Sequence, residues 1–293
     1  MEIVNSGALM ALVSFLQDSD PNASSDLLVP AFLALIRLSA DSLLAQELSR
    51  LNLEEILIPV LAQTDPRLQT AACLTLGNLA LEPTLVDTVS SPQIVHAVLS
   101  VLNSRHEAIK RVAITCLANI ATYAQGRHRI VEQDGVQLIS ELLDDEYSDQ
   151  LRGEAAFSLG NILSGRDINL QDKIRESGVL PSLVLLLSPI FAEDINSSSA
   201  WGLYHAVRLN AASQSIVADS GGLGMLVQHI RSGTLESLKT NALLALESVV
   251  VKNEKNLAWC RTNGVLKLIH EIDRDELNVN AKQALTSLLE HLI

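Results

Sequence analysis

An all-α solenoid built from about seven three-helix units is the fold this sequence predicts. The first observation behind it is compositional. Hydrophobic residues make up 48% of the 293, but aromatics only 3%, so the core must be assembled from Leu, Ala, Val and Ile, a mixture that suits close-packed helices better than strands. The second observation is a period: a leucine recurs at Leu35, Leu76, Leu117, Leu159, Leu203, Leu246 and Leu288, at intervals of 41 to 44 residues. The third is a glycine after a short polar residue, in Ser6-Gly7, Asp134-Gly135, Ser177-Gly178, Ser220-Gly221 and Asn263-Gly264, the last four glycines being 43 apart. A helix commonly ends with its next residue in the left-handed region, which glycine enters most freely.

Each unit therefore reads as a short first helix such as RHRIVEQ (127 to 133), a glycine turn, a second helix such as VQLISELL (136 to 143), a polar link, and a long third helix such as LRGEAAFSLGNIL (151 to 163). Along the chain the units fall at about 1–51, 52–91, 92–134, 135–177, 178–220, 221–263 and 264–293, forming one domain over 1–293. One unit cannot bury both faces of its apolar helices, whereas stacked neighbours share a continuous core. Extra residues around DSDPNASSD (18 to 26) and SPIFAEDINSSS (188 to 199) mark loops, with Pro189 closing the helix before it. The opening EIVNSG echoes RIVEQDG and SIVADSG, as if the chain began at the tail of a first helix. His291 stands in the column of Leu79, Ile120 and Ile162, which suits a more exposed last helix and a natural end there.

The period, the glycine turn, the second-helix segment GVLPSLVLLL (178 to 187) and the third-helix segment AAFSLGNI (155 to 162) together resemble armadillo repeats over essentially all of the chain. HEAT repeats, with two helices and no glycine before the second, fit less well. The resemblance implies a superhelical array whose third helices line a concave groove and hold an extended partner peptide, without catalysis and without a cofactor.

An asparagine recurs on the third helices although it is a poor residue for a helix interior. Its column reads Arg37, Asn78, Asn119, Asn161, His205, Ser248 and Glu290. A carboxamide carries both donor and acceptor, so it can pair with the N–H and C=O of an extended peptide, which the resemblance to importin-α-like members supports. The same amide can instead bond to the adjacent repeat or to water. Residues one or two turns away share the face: with the column, Thr115 and Tyr123, Glu154 and Phe157, Trp201 and Arg208, and Asn241 complete the expected partner-binding groove. Importin-α pairs groove asparagines with a tryptophan four residues earlier; here only Trp201 sits at that offset, and its partner is His205.

Other chemistry is poorly supplied. The histidines are scattered over different repeats, SGGLGML (220 to 226) lacks phosphate-loop spacing, and no Cys and His pairs have zinc spacing. The formal charge of −13 opposes nucleic-acid binding, and it suits a basic partner segment or simple solubility. Cys73, Cys116 and Cys260 are widely spaced in apolar segments and point to a reducing compartment, hence a cytoplasmic or also nuclear protein. Asn22-Ala23-Ser24 and Asn196-Ser197-Ser198 fit the glycosylation tripeptide, which is frequent by chance. No apolar run reaches about 18 residues, so none spans a membrane. The expected function is a non-enzymatic protein-interaction scaffold. The alternatives are an importin-α-like adaptor for basic localisation signals and a regulator of a small GTPase or of an attached effector domain.

Overall fold

The computed structural model describes residues 7–19, 25–165, 168–208, 210–275 and 277–293. The segment EIVNSG up to residue 6, most of the loop expected at 18–26, and Asn22 with its tripeptide lie outside the described residues. Among those described there are α-helices, one short 3-10 turn and no strand. The helices group into two compact units, residues 1–138 and 139–293.

In the first unit the helices are α1 (Ala8–Asp18), α2 (Ser25–Ser39), α3 (Ser42–Ser49), α4 (Glu54–Leu61), α5 (Pro66–Leu79), α6 (Val86–Val89), α7 (Pro92–Val101), α8 (Glu107–Ile120) and α9 (Ala124–Glu132). The helix α10 (Gly135–Glu141) spans the boundary. The second unit holds α11 (Asp149–Leu163), α12 (Ile168–Glu176), α13 (Leu180–Leu185), α14 (Glu193–Ala206), α15 (Ala211–Asp219), α16 (Gly222–Ser232), α17 (Glu236–Val250), α18 (Glu254–Thr262), α19 (Val265–Glu271) and α20 (Val279–Leu292). The long third helices are α2, α5 and α8 in the first unit and α11, α14, α17 and α20 in the second, each packed on the next within its unit.

The leucines of the 42-residue ruler form the spine of the core. Leu35, Leu76 and Leu117 are at most 1% exposed, and Leu159, Leu203, Leu246 and Leu288 are fully buried. Each such side chain stabilises the fold by about 1.5–3 kcal/mol relative to exposure. Helix starts are set locally. Asp65 caps α5 by accepting from the Arg67 backbone N–H, with Pro66 at the first helical position, and Ser91 with Pro92 does the same for α7. The hydrogen bonds of Arg67 and then Ser25 to the Asp65 side chain lower its pKa to about 2.

The glycine ruler needs one correction. Gly7, Gly178, Gly221 and Gly264 are left-handed, with φ between 71° and 85°, but Gly135 is not; Asp134 before it takes the left-handed place, at φ 57°. Gly135 is held to glycine by a close approach instead, since a Cβ there would lie 2.5 Å from Ile130 Cγ2 and 2.7 Å from its carbonyl oxygen. At the fifth repeat α13 ends at Leu185, four residues before Pro189, whose ring and missing N–H keep the helix from running on.

Neighbouring repeats are stitched by polar side chains. In the second unit the Glu193 carboxylate accepts from the backbone N–H groups of Thr234 and Leu235 and from Thr234 Oγ1, at 2.7 to 3.1 Å, and so caps the otherwise uncapped start of α17. These donors hold its carboxyl below its ordinary pKa. In the first unit Glu82 takes the corresponding part, accepting from Ser42 and Gln46, and its pKa is lowered by the same two bonds.

Candidate functional site

The asparagine column explains itself once the third helices are stacked. Asn78 Nδ2 donates to the Ile36 carbonyl at 3.0 Å and to Ser39 Oγ at 3.2 Å, and Asn119 Nδ2 donates to the Gly77 carbonyl at 3.0 Å. Both carbonyls sit in the last turn of the preceding third helix: Leu81, four residues after Gly77, gives its N–H to the Asn78 carbonyl instead, and the Ile36 carbonyl also accepts from Ser39 Oγ at 2.9 Å. The amide of one repeat thus finishes the helix of the repeat before it, 42 residues back. Asn78 and Asn119 themselves occupy the last turns of α5 and α8, so the helix-interior penalty of asparagine does not apply in full.

The expectation that these amides face a ligand with donor and acceptor alike is therefore corrected in part. The nitrogen of Asn78 bonds to the neighbouring repeat twice and that of Asn119 once. Both residues are half-buried, and among the described residues no donor reaches either Oδ1. Beside them Thr115 is exposed, its Oγ1 turned back to the Arg111 carbonyl at 3.1 Å. Tyr123 is half-buried at the N-cap of α9.

In the second unit Asn161 Oδ1 accepts from Trp201 Nε1 at 3.0 Å. The indole lies against the Gly160 backbone so closely that a Cβ on Gly160 would be 2.3 Å from Trp201 Cδ1. Its other neighbours are His205, edge-on with ring centroids 4.3 Å apart, and Tyr204, at 5.8 Å. Arg208 closes the cluster, its guanidinium 5.0 Å from the Tyr204 ring centroid and its Nη1 donating to the Tyr204 hydroxyl at 3.1 Å. Trp201 thus belongs to a Trp201–Tyr204–His205 cluster. Tyr204 lies one residue off the column and was passed over, although at i+3 from Trp201 and i−4 from Arg208 it shares their helical face.

Phe157 remains 45% exposed, and Glu154 is half-buried on the same helix. Two column members do not line an open surface, since His205 is 6% and Ser248 4% exposed. Asn241 donates to Ser197 O and Oγ at 3.2 and 3.1 Å, again one repeat back. Asn78, Asn119 and Asn241 thus share one structural job, each donating from its amide nitrogen to the preceding third helix, whereas Asn161 accepts from the following one.

Among the described residues no group of three or more His, Cys, Asp or Glu side chains could hold a metal ion, and no helix is long and apolar enough to cross a membrane. The three cysteines are buried thiols; burial pushes Cys73 and Cys260 up to about 12 and Cys116 well above its usual range.

Repeated three-helix units, left-handed glycine turns and stacked third helices define the fold of the chain as an armadillo-type α-solenoid. An engineered protein of known structure superposes with a TM-score of 0.87 at 23% identity, covering 99% of this chain and 69% of its own. Designed armadillo repeat proteins match over most of their length: one covers 81% of this chain and 98% of its own at TM-score 0.73 and 19% identity. Another, solved in complex with the peptide (KR)4, covers 82% and 99% at TM-score 0.71 and 22% identity. Importin subunit alpha-1b of Oryza sativa subsp. japonica is 31% identical over 144 residues, a stretch that is 48% of this chain and 26% of the rice protein. The match thus spans about a quarter of the rice protein's length. No protein-family model matches the chain.

Proposed function

We propose that the protein is a non-enzymatic scaffold that holds an extended segment of a partner protein along its third-helix face, in the cytoplasm or nucleus. The observation that carries this reading is the anchoring of Asn78 and Asn119. Each amide is fixed by its nitrogen and leaves its oxygen, a two-lone-pair acceptor, for a main-chain N–H of the bound segment. Fixing the acceptors before binding removes side-chain ordering from the cost of association. In the second unit Glu154, Phe157, Asn161, Trp201, Arg208 and Asn241 form the corresponding face. There the Trp201–Asn161 bond holds the amide in one orientation.

The test is retrieval of partners from lysate by the wild type and by the Asn78→Ala, Asn119→Ala double variant, with thermal unfolding recorded for both. Loss of one partner by a variant that still melts cooperatively supports the reading. Equal recovery of every partner by the two forms refutes it.

The local likeness to a rice importin α favours a second reading, an adaptor for basic localisation signals. A fluorescent (KR)4 peptide that binds at low salt and is lost on Trp201→Ala supports the adaptor. A peptide ignored at low salt excludes it.

A further inference from the structure

Junctions inside the chain show which positions of a repeat pack against the repeat before it. Ile195, eight residues before its ruler leucine, lies on Gly153 of the previous third helix, where an added Cβ would be 3.2 Å from Ile195 Cγ1. Trp201, two residues before the same leucine, is seated on Gly160. His229, eight residues after the turn glycine Gly221, bonds to the Leu187 carbonyl one repeat back. The counterparts of Ile195 at Leu68, Ile109, Leu151 and Leu238 are buried, as are those of His229 at Leu143 and Leu186. In the first repeat these three positions hold Leu27, Leu33 and Phe15, which are 57%, 54% and 40% exposed.

The last repeat is built differently. Positions that face the following repeat, as Gly153 faces Ile195 and Val184 faces Gly222, are small or apolar and buried at Gly153, Ser197 and Thr240 and at Val184 and Val227. Their counterparts in the last repeat are Lys282 and His270, both exposed. An array needs polar outer faces on its terminal repeats; the last repeat has one and the first does not. Charge then selects what covers the first. Asp26, Pro30, Leu33 and Arg37 follow at i, i+4, i+7 and i+11 and form one exposed stripe of α2. At its start Asp26 shares Arg67 with Asp65, at 3.1 and 3.0 Å, two carboxylates to one guanidinium, so this end keeps one net negative charge, with the Asp26 side chain 84% exposed. At its other end Arg37 is exposed and has no ion-pair partner among the described residues. The stripe is therefore negative, apolar and then positive over about 16 Å, and it is complementary to itself when turned end over end.

We propose that the outer face of the first repeat is a two-fold interface with a second copy of this chain, α2 lying antiparallel to its mate. The surface involved is the one every inner junction buries, continued between chains. Leu27, Leu33 and Phe15 leave water together with the same residues of the partner, and Arg37 meets the partner's Asp26 at both ends of the contact, as an isologous interface requires. The last repeat of another copy is a poor mate. Stacked head to tail it would set Leu27 on Lys282, at the place where Ile195 lies on Gly153, and strip the ammonium of water with no carboxylate offered in exchange. The contact is two helices wide, at the small end of stable interfaces. It does not rest on the scaffold reading, since the groove amides take no part in it.

Sedimentation of the 293-residue chain tests this. Between about 1 and 100 µM, the weak end of the affinity range for interfaces, the mass is expected to rise from 31.7 kDa towards twice that and to stop there. Leu27→Glu and Phe15→Glu, at exposed positions, hold the chain at one copy while circular dichroism shows unchanged helicity. Arg37→Glu and Asp26→Arg each weaken the dimer by about tenfold or more, because like charges then face each other at both ends. Mixing these two variants restores it, each supplying the charges the other lacks. A single copy at every concentration, growth beyond two copies, a dimer indifferent to Leu27→Glu, or no recovery on mixing overturns the proposal.

Discussion

Replacing Gly160 by alanine sets the packing of the second unit against helix propensity, and the two push in opposite directions. An alanine in a helix interior is favoured over glycine by about 0.5–1 kcal/mol. At Gly160, however, the new Cβ would stand 2.3 Å from Trp201 Cδ1 and 2.7 Å from Nε1, so the indole has to leave its seat. Displacing it breaks the 3.0 Å bond to Asn161 Oδ1, at a net cost of about 0.5–1.5 kcal/mol, and overpacks the site by about 1–3 kcal/mol. The sum is a destabilisation of about 2 kcal/mol, with a range of roughly 0.5–4. Gly77 is the control in a matching place, the residue before Asn78, where an added Cβ meets nothing closer than 3.6 Å. At Gly224 it meets nothing within 4 Å. Gly77→Ala and Gly224→Ala are therefore expected to leave stability unchanged or raise it by up to about 1 kcal/mol. Urea unfolding followed by circular dichroism gives the order. Fluorescence in a Trp259→Phe background reports the shift of Trp201 towards water in Gly160→Ala alone. Because solenoids can unfold repeat by repeat, the denaturant slopes must agree among the variants before midpoints are compared. A Gly160→Ala protein with a midpoint at or above that of the wild type would refute the seat assigned to Trp201.

Glu193 has its carboxyl lowered in the folded state by the donors of Thr234 and Leu235. Its stabilisation is present above the ordinary pKa near 4.5 and disappears as pH falls through the lower folded value. Glu193→Gln should unfold earlier in urea at pH 7, with the gap to wild type closing on acidification; a gap independent of pH would contradict this. Asp65→Ala should cost about 0.5–2 kcal/mol through loss of the α5 cap, whereas Asp65→Asn retains most of it, as thermal denaturation of the two would show. The buried thiols Cys73, Cys116 and Cys260, with pKa values pushed up by burial, should react with a thiol reagent only as the protein unfolds. Labelling that outruns the fall in helicity would overturn their burial.

The amides show how far local sequence reached. Their column, its spacing and its place on the third helix were legible, because a repeat writes the same position again every 42 residues or so. Their hydrogen-bond partners were not, because the Ile36 and Gly77 carbonyls belong to the previous repeat and a backbone carbonyl leaves no trace in residue type. Trp201 was read beside His205, where its ring does pack, but its seat on Gly160 and its bond to Asn161 are contacts that no local pattern encodes. The same holds for Asp134, which takes the left-handed turn one residue before the glycine expected there, while Gly135 is needed for its closeness to Ile130.

By itself the sequence determined the helical fold, the period and the leucine spine, because these follow from which side chains leave water and how often they recur. Tertiary structure alone decided which polar atoms of the third helices remain open to a partner. That choice depends on where each side chain finds a hydrogen-bond partner once neighbouring repeats are stacked, and both bonding and solvent exposure at that point are properties of the pair of repeats.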